Sequence, residues 1–361
     1  MPTHRLIFLD RLRVLALGAL VLYHLGMAYV PWPWHLKGAA LVPALEPWMR
    51  LLEPWRMSLL FCLSGIVTAR LLASGGQGAL RQRLRRLGAP LLAGVLVLVP
   101  PQAWWQVQAQ WGYGGSLVDF MGLYLRGDRG FCAPAGPCLV LPTWNHLWFL
   151  PYLMAYTVLW SGGCRWWPGR SDTAPPRPGW PMAWWLLVPW ALLAALRTVL
   201  HPLGGITHDL LFDALGHAQY LPVFLVGAWW GRTAGPWDAL ARLRWLTLGL
   251  ALAAWGLREG AVAPAALAPA AYALQQWAGV LAALGWGRQW LDRPGPHAAA
   301  WARAASLVFP VYVLHQTLLL GALVALRPWG LAPAPEAALL GLATLGGSVD
   351  RKSTRLNSSH S

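Results

Sequence analysis

The sequence predicts an all-α, polytopic integral membrane protein with about ten transmembrane helices. Three observations predict it. Of 361 residues, 57% are hydrophobic and only 11% charged, against about 45–50% and about 25% in soluble domains. The apolar residues gather into ten runs, most near the ~20 residues a helix needs to cross a bilayer. None of the runs alternates apolar and polar residues as the strands of a closed barrel would. This composition excludes disorder, a coiled coil and most cytosolic enzymes.

The runs fall at 14–31, 55–73, 87–107, 144–162, 182–200, 217–231, 245–257, 264–287, 306–326 and 336–348. The first has the basic flank of a signal peptide in His4, Arg5, Arg11 and Arg13. The chain continues as GMAYVPWPW with no small-x-small cleavage site, so it reads as a retained helix. The second run contains FCLSGIVTARLL, and the Arg-rich turn RQRLRRLGAP leads into the third. The fourth opens with TWNHLWFL; the linker RSDTAPPRPG separates it from the fifth. The sixth holds YLPVFLVGAWWG. The seventh is short with soft edges, and the ninth contains SLVFPVYVLHQTLLL. The tenth stops early. Asp350 to His360 read DRKSTRLNSSH, the translation of a common sequencing-adapter oligonucleotide. We therefore expect the membrane domain to occupy 1–349, its last helix truncated, and 350–361 to be an adapter artefact.

The formal charge of +15 would suit nucleic acid, but it sorts by membrane side instead. With the N-terminus in the cytoplasm, 17 basic residues and four acids before Asp350 fall on that side, and eight of each fall outside. This obeys the positive-inside rule and supports ten spans. The 26 Trp suit an interfacial belt. The longest outer connection, Gln108 to Thr143, holds Cys132 and Cys138 in CAPAGPC, where an oxidising compartment would permit a small disulfide loop. Cys62 and Cys164 read as packing residues. The sequence has no internal repeat, no Gly-rich nucleotide loop and no zinc-spaced Cys/His cluster, so no metal and no nucleic acid are expected.

The strongest chemical signal is LDRLRVLALGALVLYH, which sets Arg13 and His24 eleven residues apart. Eleven residues at 100° each fall within about 20° of three full turns, so the two share a helix face roughly 16 Å apart along the axis. Arg13 would sit at the cytoplasmic mouth and His24 within the membrane. An ionisable residue there needs a cavity or a partner, and His moves protons near neutral pH. A His that only hydrogen-bonds between helices would fit the spacing equally. Arg81, Arg83, Arg85 and Arg86 cluster at one membrane edge. Their guanidinium groups suit phosphates, either those of a nucleotide-bearing ligand or those of lipid headgroups. His146 opens the fourth run and His315 lies within the ninth, with Asn145, Trp148 and Gln316 as neighbours; interhelical hydrogen bonding is the plain alternative for both. His201, His208, Asp209, Asp213 and His217 form a polar outer loop. The Trp-rich stretches Pro31–Trp34 and Trp104–Trp111 could stack on sugar rings or belong to the belt.

These landmarks resemble, in order, those of the acyltransferase family 3 membrane proteins. Arg-x10-His after FLD is similar to the family's first helix, FCLSG to its second and RQRLRR to its basic turn, with Arg83 and Arg86 as the Arg-x-x-Arg pair. HLWFL resembles the glucan-modifying, OpgC-like branch, and VYVLHQ the late YxxHQ helix. The family's WSLxxE segment is replaced by LWFLPY, and no SGNH hydrolase domain is appended. The resemblance implies an inner-membrane O-acyltransferase with a cytoplasmic N-terminus and no resident cofactor. It would take acyl groups from cytoplasmic acyl-CoA to hydroxyls of an extracytoplasmic glycan or lipid-linked sugar, and a second transfer would need a periplasmic partner. His24 and Arg13 would be catalytic; Arg81, Arg83, Arg86, His315, His146, Asn145 and Trp148 would contact substrates. A transporter or flippase for an anionic or glycan substrate, with no covalent chemistry, is the rival reading, since buried His and Arg also relay protons and bind anions. A non-catalytic scaffold for glycan assembly is the third.

Overall fold

The computed structural model describes residues 6–76, 78–132, 138–166, 182–233, 235–260, 264–293 and 295–357, without the side chains of 165, 166, 182 and 348–357. The expected 170–179 linker, the side chains of 350–357 and residues 358–361 lie outside that description.

The described residues form eleven helices and no β-strand. They are α1 (Ile7–Met27), α2 (Glu46–Ser74), α3 (Ala79–Trp111), α4 (Leu117–Arg126), α5 (Phe149–Trp166), α6 (Met182–Leu200), α7 (Ala214–Arg232), α8 (Trp237–Glu259), α9 (Ala268–Trp286), α10 (Ala298–Leu326) and α11 (Pro333–Asn357). Every apolar run lies on a long helix; α4 is the addition. It forms in the outer connection because Ser116 and Asp119 make a reciprocal capping box at its start. The seventh run, short in the sequence, is a full helix, α8, extended at both ends by polar turns. α3 is continuous but widens into one π turn at Gly94–Leu98, just after Pro90.

This is an all-α membrane protein. Four stretches, Pro43–Ser74, Ala79–Trp111, Ala183–Leu203 and Ala298–Trp329, are long and apolar enough by themselves to cross a bilayer. The other long helices dilute their apolar length with polar side chains, as α1 does with Asp10, Arg11 and Arg13 and α7 with His217 and Gln219.

The chain divides into two compact units. The first comprises 1–20, 47–85 and 151–306. Its core gathers Phe8, Leu63, Ile66, Trp230, Trp237 and Trp277, with Trp230 edge-on to Trp185 and Trp237 at 5.6 and 5.9 Å. α2 and α7 cross through glycine: a Cβ on Gly65 would strike the Phe224 carbonyl, and one on Gly227 the Cys62 carbonyl. Small residues permit such backbone approach between membrane helices. The ion pairs of this unit respect the predicted sides. Arg50 pairs with Glu259 and Arg258 with Glu53, all expected on one side, while Arg13 pairs with Asp10 and Arg288 with Asp238 and Asp292, all expected on the other.

The second unit comprises 21–46, 86–150 and 307–361. Its core is Tyr29, Leu36, Leu319, Leu320, Leu323 and Leu340. The loop after α1 folds back because Lys37 Nζ donates to the carbonyls of Met27, Val30 and Trp32 at 2.8, 2.7 and 2.5 Å, a cation meeting orphan carbonyls at a helix C-terminus. Glu336 of α11 pins the same loop, accepting from Tyr29 Oη at 3.0 Å and from the Ala39 N–H at 3.3 Å. Cys132 and Cys138 form a disulfide.

Candidate active site

The second unit collects three of the predicted histidines. His24, in the last turn of α1, is half-buried, and His315, within α10, is fully buried. His24 Nδ1 lies 2.8 Å from His315 Nε2. His315 Nδ1 faces two carbonyls of its own helix, Tyr312 at 2.7 Å and Val311 at 3.2 Å. Carbonyl oxygens only accept, so Nδ1 of neutral His315 carries its proton and Nε2 its lone pair. His24 Nδ1 therefore donates to His315, and the lone pair of His24 sits on Nε2. The pinned loop brings the Trp34 ring near-parallel to His24 at 6.5 Å, and the His315 ring lies near-parallel to His24 at 5.0 Å.

His146 occupies the 3₁₀ turn Asn145–Trp148 that leads into α5. Its Nε2 donates to the Val313 carbonyl at 3.0 Å, and its ring meets His315 edge-on at 5.1 Å. Nδ1 is then an acceptor, buried and without a hydrogen-bond partner. Tyr312 fixes the turn by donating its hydroxyl to the His146 carbonyl at 2.7 Å. Asn145 adopts the left-handed conformation at φ 41°, where Asn is tolerated. Its carboxamide donates to Gln102 Oε1 at 3.1 Å, as does Gln316. Gln102 in turn donates to Thr317 Oγ1 at 2.6 Å. The sites on α3, α10 and the turn are thus locked by one polar network, which a dry interior makes costly to leave incomplete.

The other predicted residues lie elsewhere. Arg13 is held by Asp10 at 3.2 Å in the first unit. Arg83 donates to Thr68 Oγ1 of α2 at 3.0 Å, while Arg81, Arg85 and Arg86 are exposed. Half-buried Trp148 packs edge-on to Phe149. In the polar outer loop, Asp213 is buried and saturated: Tyr152 Oη donates to it at 2.6 Å, as do the N–H groups of Thr207, His208 and Gly216. That loop is organised by its own cap on α7, and the same holds for several outer Trp residues; Trp104 and Trp111 donate to the carbonyls of Gly115 and Cys132.

Sequence reasoning missed Gln102, Tyr312 and Thr317, and named Trp34 only as a ring that could stack on sugar or belong to the belt. A Gln inside an apolar run was a legible signal, since such a group must find a partner. The facing nitrogens of His24 and His315 bond each other, and no cluster able to hold a metal is found among the described residues.

A family model described as an acyltransferase domain matches residues 6–350. The chain belongs to the acyltransferase 3 family. Among the curated proteins, this acyltransferase 3 chain is similar to Glucans biosynthesis protein C of Salmonella gallinarum, Salmonella typhi and Salmonella typhimurium, each 24% identical over 238 residues. The similarity covers 63% of this chain and 58% of those relatives. No solved structure matches it. Within this acyltransferase 3 fold, the histidine pair offers a lone pair on a half-buried nitrogen, oriented from behind by a second ring. That is the arrangement general-base chemistry requires.

Proposed function

We propose that the protein transfers an acyl group from cytoplasmic acyl-CoA to a hydroxyl of an extracytoplasmic glycan or lipid-linked sugar, with His24 as the general base. The observation that carries the reading is the His24–His315 hydrogen bond, which leaves His24 Nε2 as the basic atom. The acceptor hydroxyl gives its proton to Nε2 as its oxygen attacks the thioester carbonyl carbon. The carbon–sulfur bond then breaks, and the CoA sulfur leaves with the proton from Nε2. The products are an ester and free CoA, and His24 is restored. His315 holds the imidazole throughout, taking the place of the orienting member of a catalytic triad. Its own Nδ1–H, bonded to two carbonyls, tolerates the positive charge that forms next to it.

Arg83 and Arg86, with Arg81, hold the phosphates of CoA, and Arg13 steadies charge near the thioester. His146, Asn145 and Trp148 contact the acceptor. The glucan named in the relatives makes a glucan the first acceptor to try. We place the protein in the inner membrane with its N-terminus in the cytoplasm and no resident cofactor, passing acyl groups to a periplasmic partner where a second transfer follows.

The test is CoA release by the purified protein in nanodiscs, with candidate acyl-CoAs and glucans. Release that needs the glucan and is lost in His24→Ala is expected. Full activity in His24→Ala would overturn the assignment of the base. Glucan translocation without CoA release would favour the transporter.

A further inference from the structure

Three glutamines recur at every fourth residue along α3: Gln102, Gln106 and Gln110. That spacing sets them on one helix face. Gln102 joins Asn145 and Gln316. The other two hold the loop after α1. Gln110 Nε2 lies 2.8 Å from the Trp34 carbonyl and 3.1 Å from that of His35. A backbone carbonyl cannot donate, so these two contacts fix the amide nitrogen of Gln110 and turn its Oε1 toward Gln106. Gln106 Nε2 donates to that oxygen at 3.2 Å. Gln106 Oε1 is thereby left facing His35 Nδ1 at 2.5 Å, where it accepts. The proton of His35 is on Nδ1 and its lone pair on Nε2.

This nitrogen is an open acceptor. His35 Nε2 meets no donor among the described residues, and it is not sealed from solvent as His146 Nδ1 is. Burial lowers the pKa of the half-buried ring, against the opposing hydrogen bond to Gln106, so the imidazole is uncharged near neutral pH. The Trp34 ring lies 6.5 Å from His24 and 5.8 Å from His35, so a short oligosaccharide beside Trp34 reaches both. A lone pair repels an anion, and the Lys37 ammonium of the same loop disfavours a cation. A hydroxyl donates a hydrogen bond without bringing a charge.

We propose that His35 is a binding residue for the acceptor: its Nε2 accepts a hydrogen bond from a sugar hydroxyl other than the one that reacts at His24, and Gln106 and Gln110 hold the ring in the accepting tautomer. The ligand class is a neutral gluco-oligosaccharide. This rests on the reading of the acceptor as a glycan.

Two measurements on the full chain in nanodiscs test it. Diethyl pyrocarbonate modifies the unprotonated nitrogen of a neutral imidazole, and peptide mass spectrometry follows the labelling of His35. The probes are glucose disaccharides of each linkage, with sorbitol as the control for general polyol effects. At least one disaccharide slows His35 labelling saturably, fivefold or more, and leaves exposed His297 unchanged. An inert His35, or one labelled equally with and without every disaccharide, overturns the site.

The second measurement is CoA release with the protecting disaccharide as acceptor. His35→Phe raises the KM for the sugar about tenfold, as loss of a hydrogen bond to substrate requires, with kcat and the KM for acyl-CoA changed less than twofold. His35→Gln, whose carboxamide oxygen replaces the lone pair, recovers part of the loss. Gln106→Leu, which frees the tautomer, falls between wild type and His35→Phe. If His35→Phe does not fold, Gln106→Leu against His35→Gln decides. An unchanged KM for the sugar in the variants overturns the proposal and leaves His24 as the base. Protection of His35 in a chain that releases no CoA keeps the sugar site and overturns the transferase instead.

Discussion

His315 anchors one ring nitrogen on the carbonyls of Tyr312 and Val311 and turns the other to His24 Nδ1 at 2.8 Å. The contact fixes both tautomers at once. His24 is left with its lone pair on Nε2, the atom that Trp34 and His315 do not hold. In the proposed reaction, one histidine would do for another what a carboxylate does in a catalytic triad, without placing a negative charge inside the membrane.

Replacing His24 by Ala is expected to lower acyl transfer by about 10²–10⁴-fold, the range of general-base catalysis. His315→Ala is expected to cost about 10²-fold, because it misplaces a base that remains present. CoA release at saturating donor measures both. Equal losses in the two variants would remove the distinction between base and orienting ring.

Arg83 and Arg86 are expected to act on donor binding. A charge-assisted hydrogen bond contributes about 1.5–3 kcal/mol, so Arg86→Ala should raise KM for acyl-CoA about ten- to hundredfold with kcat little changed. An unchanged KM would leave these arginines as a lipid-facing anchor.

The α2–α7 crossing makes a prediction about stability alone. A side chain on Gly227 meets the Cys62 carbonyl, and backbone cannot yield as a flexible side chain can. Gly227→Leu should destabilise the protein by about 2 kcal/mol or more, read as a lower melting temperature in detergent. Gly18→Ala, with nothing within 4 Å of the added Cβ, is the neutral control.

Asp213 closes the loop before α7 by accepting four hydrogen bonds. Asp213→Ala leaves those buried donors without an acceptor, at a cost of about 1–3 kcal/mol. Limited proteolysis of the 204–213 loop should speed up, and Asp213→Asn should restore part of the protection.

The same loop carries a pH dependence. Burial pushes His208 down to about 4, against the opposing pull of the Asp213 carboxylate. The unfolded loop, with its His near 6.5, then binds the proton more readily than the folded one. Loop stability is therefore full above about pH 6.5, falls as the pH drops toward 4 and levels off below that. Hydrogen exchange of the 204–212 amides follows it. His208→Asn, which tolerates the left-handed backbone at φ 59°, should flatten the profile.

Much of the fold was legible in the chain. Ten apolar runs became ten long helices, because in a bilayer every backbone group must be satisfied within the segment that carries it. The ion pairs of the first unit join residues assigned to the same membrane side, because a charge cannot sit in the hydrocarbon without cost. α4 was missed although Ser116 and Asp119 spell a capping box, since its ten residues form one short amphipathic helix outside the spans. Of the site, His24, His315, His146 and Asn145 were read from motif and position. Gln102 and Tyr312 were not, because their roles depend on which neighbour each one meets.

The sequence by itself determined the class and the long apolar helices. Those follow from local composition and the cost of transfer into lipid, and neither depends on how helices pack. The tertiary structure alone decided that His315 stands behind His24 and that His146 keeps a bare nitrogen. Each of these is a relation between residues distant in the chain, set by helix crossings and loop closures that no window of sequence contains.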